Sequence, residues 1–144
     1  MPESNQKNKD IRSTLVKYAA NILSRRPYFY GQLKNKLLQR SQKLGIESPE
    51  NDIQSILQDL QVSGYLNDSY LAEAFVRRHL GKGHGPKIIK YKLIQLGLSS
   101  TEATAALSTP ENIELVEVAK AKIASKYSNS EPFMVKSKLY QRGF

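Results

Sequence analysis

The residues of this 144-residue chain that could do chemistry are few: two histidines, a glycine cluster, two arginine pairs and scattered acids. There is no cysteine, so disulfide frameworks, zinc–thiolate sites and thiol nucleophiles are all excluded. His79 and His84 alone do not complete a zinc site, and their place beside a glycine turn reads as exposed. Gly81, Gly83 and Gly85 suggest a phosphate loop. Their spacing misses both common glycine-rich patterns, however, and Pro86 stands where a sixth-position glycine is required. The segment is read instead as a hinge between helices whose backbone donors could hold an anion. Glu47, Glu50, Asp52 and Asp59 resemble a solvated helix face rather than a metal cluster. The expectation is therefore no catalytic residues, no metal, no cofactor and no enzyme.

The cations are more informative. The chain carries 22 basic and 13 acidic residues, a formal charge of +9. Residues 1–44 carry +8, residues 45–76 carry −6 with no base, and residues 77–92 carry +6 with no acid. Residues 93–118 follow with −4, and residues 119–144 close with +5. Alternately charged solvated faces would serve solubility alone, whereas basic patches recurring on one surface would serve recognition of something negative. Arg25-Arg26 and Arg77-Arg78 each end a helix, where one such pair could simply compensate the helix dipole. Two pairs, each just ahead of a lysine-rich helix, favour recognition. Arginine engages carboxylates or phosphates bidentately, while Lys34, Lys36, Lys82, Lys87, Lys90 and Lys136 act as point charges. Of the tyrosines among these bases, Tyr30 is in phase with a core stripe, and Tyr65 reads as a wedge between modules. Tyr28 is the candidate partner contact.

Such residues need elements to position them, and the apolar spacing is helical nearly throughout. Leu15, Tyr18, Ala19, Ile22 and Leu23 form one stripe. Leu33 and Leu37 continue the pattern up to Gly45. Ser48-Pro49-Glu50 reads as N-cap, first-turn proline and first-turn acid ahead of Ile53, Ile56, Leu57 and Leu60. Asn67-Asp68-Ser69 offers a further cap, Pro86 opens the next helix, and Ser99 with Glu102 has capping-box spacing. Thr109-Pro110 and Pro132 start the last two. Tyr28-Phe29-Tyr30 is assigned to a loop and helix start. About eight helices and no strand are expected, an all-α fold.

One pattern recurs. The octet Tyr30–Leu37 can be laid over Pro86–Leu93 and over Pro132–Leu139, each ending in Lys-Leu with an apolar residue four positions earlier. Leucine and its partner share a helix face and bury together, while the lysines stay wet. Each copy follows a longer amphipathic helix, and the first two precede an acidic one. The unit is thus a three-helix module, and such modules gain most by contacting neighbours. We expect a flexible segment at residues 1–10, repeats at 11–66 and 67–108, and an incomplete third repeat at 109–144.

At this point the chain resembles the RecX family of regulatory proteins. The residues that carry the resemblance are Arg25-Arg26-Pro27, Leu33 with Lys36-Leu37, and Gly64-Tyr65-Leu66-Asn67-Asp68 with Ala74-Phe75-Val76. Gly83-x-Gly85-Pro86 and Leu96-Gly97-Leu98 complete the series. The resemblance implies tandem three-helix repeats in an elongated, curved array. It also implies a protein that binds the recombinase RecA in the groove of its filament on DNA. There it would restrain filament extension, ATP hydrolysis, recombination and the SOS response. The family often has an acid before the first-repeat leucine, and Gln32 stands there instead.

The partners expected are accordingly RecA and, weakly, single- or double-stranded DNA, for a monomer in the cytoplasm. No stretch approaches the roughly 18 apolar residues of a membrane span, and residues 1–10 lack the apolar run of a secretory signal. Two other readings remain open: a direct DNA-binding module of helix-turn-helix type, and a scaffold whose charge bands serve only solubility.

Overall fold

The computed structural model describes the backbone from Pro2 to Phe144 and the side chains from Lys9 onward. Among the described residues there are eight helices and no strand. They are α1 (Pro2–Leu23), α2 (Tyr30–Lys43), α3 (Glu50–Val62), α4 (Asp68–Gly81), α5 (Pro86–Gln95), α6 (Ser100–Leu107), α7 (Pro110–Lys126) and α8 (Pro132–Gln141). The fold is all-α and built from tandem three-helix repeats. It divides into two compact units, residues 1–68 and residues 69–144.

In the first unit the stripes of α1, α2 and α3 converge. Leu15, Leu33, Leu37 and Leu57 are fully buried, with Ala19, Ile53, Ile56 and Leu66 packed about them. Burying a leucine of this kind is worth roughly 1.5–3 kcal/mol. Arg12 of α1 reaches across to α3, donating to Asp59 at 2.7 Å and to Ser55 at 2.9 Å. The start of α2 is satisfied from two directions. Gln32 Oε1 accepts the Phe29 N–H at 3.1 Å, and Asp68 Oδ1 accepts the Tyr30 N–H at 2.8 Å. These are two of the orphan donors every helix start leaves. Gln32 therefore has a local task that needs no negative charge.

Three expectations change here. The segment 1–10 is helical from Pro2 onward, while Met1 lies outside the described residues. A proline is tolerated in a helix's first turn, where its missing donor has no intrahelical acceptor, and the following Glu, Gln and Lys are good helix formers. Ser48 does not cap α3. It sits at φ +50°, and Pro49 takes the cap position with Glu50 as the first helical residue. A residue ahead of proline is driven out of the right-handed helical region, and serine here escapes to the left-handed one. Tyr28 is buried, 8% exposed, and belongs to the first unit's core. The Arg26 guanidinium covers its ring at 4.4 Å, so Tyr28 packs the module rather than offering a face to a partner.

The second unit centres on Val76, Ile89, Leu93, Leu98 and Ala103. Ser99 and Glu102 form the expected capping box, Ser99 Oγ accepting the Glu102 N–H at 3.0 Å and Glu102 Oε1 the Ser99 N–H at 3.1 Å. Thr109 Oγ1 caps α7 by accepting the Asn112 N–H at 3.2 Å. Asn112 is itself fully buried, and its amide donates to the Ala106 carbonyl at 2.8 Å, tying the α6 end to the α7 start.

The octet leucines tell the repeats apart. Leu33 with Leu37, and Ile89 with Leu93, are fully buried. The equivalent Val135 and Leu139 of α8 are only half-buried, and Phe133 and Tyr140 are largely exposed. Two pairs have a complete module around them. The third has α7 alone from its own repeat.

Candidate basic groove

The glycine cluster explains itself through the end of α8. Gly85 donates to the Arg142 carbonyl at 2.6 Å and Lys87 to the Gly143 carbonyl at 3.1 Å. A methyl group on Gly85 would overlap the Gly143 carbonyl, and one on Gly83 would lie 2.6 Å from Arg142 Nη1. The glycines thus let one helix terminus close onto another. The positive end of the α5 dipole meets the negative end of α8. These donors are consumed, which corrects the expectation of an anion-holding hinge.

The histidines are also not free. Their Nδ1 atoms lie 2.9 Å apart, so one ring donates and the other accepts. His79 is buried, stacked on Phe75 with ring centroids 4.0 Å apart. This corrects the expectation of exposed rings. Burial, then His84, Lys82, Lys92 and Arg78, push the His79 pKa down to about 4, and burial with Lys92, Lys82 and Arg142 also lowers that of His84. Among the described residues no cluster of three metal-ligating side chains occurs.

Where the expected contact residues fall is uneven. In the first unit Arg25, Arg26 and Lys34 are exposed and Lys36 is half-buried. Tyr65, read as a wedge, is exposed on the surface of this unit. In the second unit Arg77 and Lys82 come together in an open trough of about 300 Å³. Three cations the sequence reading passed over join them: Lys122, Lys126 and Arg142. The floor is aliphatic, formed by Leu80, Leu115, Val118, Ala119 and Ile123. Arg78, Lys87, Lys90 and Lys136 lie outside this lining. Arg78 sits 5.6 Å from the Phe75 ring and Lys87 5.6 Å from the Tyr140 ring.

The local reason for the trough is helix periodicity. Leu115, Ala119, Lys122 and Lys126 recur every three or four residues along α7, so they share a face. That spacing, inside a band of net charge +5, was the available signal. Arg142 had none, because its place depends on the Gly85–Gly143 approach. The lining holds no carboxylate, imidazole, hydroxyl or thiol, and Glu111 lies 4.0 Å from Arg77. Such a site can attract and hold an anionic group.

Comparison with known proteins places these features. Residues 67–107 match the family model described as RecX, second three-helix domain. The regulatory protein RecX of Photobacterium profundum is 31% identical over 117 residues, covering 81% of this chain and 42% of that protein. The protein of the same name from Shewanella oneidensis is 38% identical over 71 residues, 49% of this chain and 55% of its own length. The chain thus spans about half the length of these relatives or less. The crystal structure of RecX from Lactobacillus salivarius superposes with a TM-score of 0.73 at 27% identity, covering 94% of this chain and 90% of that one. No helix among the described residues is long and apolar enough to cross a membrane.

Proposed function

Because the chain belongs to the RecX family, we propose that it regulates the recombinase RecA by binding the groove of the RecA–DNA filament. It inhibits filament extension, ATP hydrolysis and strand exchange there, and so modulates DNA repair, recombination and the SOS response in the cytoplasm. The observation that carries this reading is the match of residues 67–107 to the family's second three-helix domain. That stretch holds Arg77 and Lys82 of the basic trough. Exposed cations on both units, Arg25, Arg26 and Lys34 on one and Arg78, Lys87 and Lys136 on the other, add further weak contacts. Weak contacts on one molecule reinforce one another through effective concentration, so no single patch has to be strong.

The test is direct. Purified protein added to preformed RecA–single-stranded DNA filaments should slow ATP hydrolysis, and an unchanged rate at saturating protein overturns the reading. The double reversal Arg77→Glu with Arg78→Glu should weaken inhibition of strand exchange while the far-ultraviolet circular dichroism is kept. If about six phosphates are neutralised, DNA affinity falls roughly a thousandfold between about 50 and 200 mM salt. An affinity indifferent to salt removes the phosphate contacts from the proposal.

A further inference from the structure

The trough of the second unit combines two properties that select different parts of a ligand. Five cations surround it and no acid lines it, yet its floor is wholly aliphatic. Among the described residues, Lys82, Lys122, Lys126 and Arg142 have no carboxylate partner, while Arg77 has only Glu111 at 4.0 Å. A phosphate chain would use the rim and waste the floor. An exposed nucleobase prefers an aromatic ring to stack on, and the lining offers none. Apolar side chains flanked by carboxylates use both. From Leu115 to Lys126 the α7 wall runs roughly 16 Å at the helical rise, the span of three helical turns.

We propose that this trough docks an acidic amphipathic helix of a partner protein, one apolar face laid on Val118 and its neighbours and the carboxylates paired with Lys122, Lys126, Arg142, Lys82 and Arg77. This is the helix-in-groove mode, with anchors at i, i+3 or i+4, and i+7. Electrostatic complementarity selects the sign of the ligand, and the apolar floor selects its periodicity. The inference stands apart from the recombinase reading, since it names a ligand chemistry that any such partner could present.

The probe is a synthetic peptide of about 15 residues, roughly four helical turns, with leucines at i, i+3, i+4 and i+7 and glutamates elsewhere. Its binding to the full chain is read by fluorescence anisotropy. Three controls run beside it: the same peptide with lysine for glutamate, a polyglutamate of equal charge, and single-stranded oligothymidylate. The expected result is saturable binding of the acidic amphipathic peptide, with both peptide controls weaker by roughly tenfold or more. Lys122→Glu with Lys126→Glu, both exposed positions, should weaken it by a similar factor. So should Val118→Asp, at a position 46% exposed.

Polyglutamate binding as tightly as the amphipathic peptide would reduce the site to charge alone and overturn the proposal. Oligothymidylate that displaces the peptide and is weakened by the same substitutions would make this a nucleic-acid groove and overturn it equally. So would no binding, or binding indifferent to the three substitutions in variants with native circular dichroism. No recombinase is present in this assay, so its failure and the failure of the regulatory reading are separate events.

Discussion

Gly85→Ala tests the helix-end contact that organises the second unit. Gly85 has φ −86° and ψ 171°, an extended conformation alanine adopts freely, so backbone strain contributes nothing. What alanine adds is a methyl group that overlaps the Gly143 carbonyl and lies 2.6 Å from the Phe144 nitrogen. Backbone atoms cannot rotate aside, so the α8 end must lift. Lifting it breaks the Gly85 and Lys87 hydrogen bonds to Arg142 and Gly143, each worth about 1 kcal/mol net. Repacking around Ile88, which Gly143 abuts, adds about 1 kcal/mol more. The expected loss is about 2–3 kcal/mol, on the order of 10–20 °C in the melting of a unit this size. Gly81→Ala is the control, since nothing lies within 4 Å of its added methyl. Urea unfolding gives the energy, and amide hydrogen exchange at Lys87 reports the contact itself. A Gly85→Ala variant within about 0.5 kcal/mol of the parent, with its Lys87 amide still protected, refutes the reasoning.

Three further outcomes are expected. Stability should fall as pH drops from about 6.5 to about 4. His79 and His84 have lowered pKa values in the folded state, so the unfolded chain takes up protons first; the pair is faced by Lys82, Lys92, Arg78 and Arg142, and His79→Gln should flatten the profile measured by urea unfolding against pH. Asn112→Ala should cost about 2–3 kcal/mol by leaving the buried Ala106 carbonyl without its side-chain donor and opening a void, and Asn112→Asp should cost more, because a carboxylate would then face that carbonyl; thermal melts rank the two. Tyr28→Ala should destabilise the first unit by about 3 kcal/mol or more, whereas Tyr28→Phe should leave the proposed inhibition of RecA unchanged; a Tyr28→Phe variant that keeps its melting temperature but loses an inhibition shown by the parent would restore the tyrosine as a contact.

The helix starts were legible because caps are local: Ser99 with Glu102, Thr109 with Pro110, and Pro86 and Pro132 each act within one turn. The core was legible for the same reason, since Leu33–Leu37 and Ile89–Leu93 announce their face by spacing. Tyr28 was not, because three consecutive aromatics have no period from which to read which is buried. Ser48 misled because a serine before a proline satisfies the cap pattern in letters, while the proline redirects its backbone. The trough was half legible. Lys122 and Lys126 carry a helical spacing, but nothing near Arg142 in sequence indicates that it lies over Gly83.

The approach of Gly143 to Gly85 also bears on how the chain is made. The two amide donors that open α5 find their acceptors at Arg142 and Gly143, 57 and 56 positions later. At a ribosome elongating about 5–20 residues per second, that interval lasts roughly 3–11 s. Throughout it the first repeat can close on itself, while α5 holds an unfinished beginning that only water occupies. The start of α5 is thus closed by residues translated well after it, and a nascent chain stalled before Arg142 would leave the Gly85 and Lys87 donors without these acceptors.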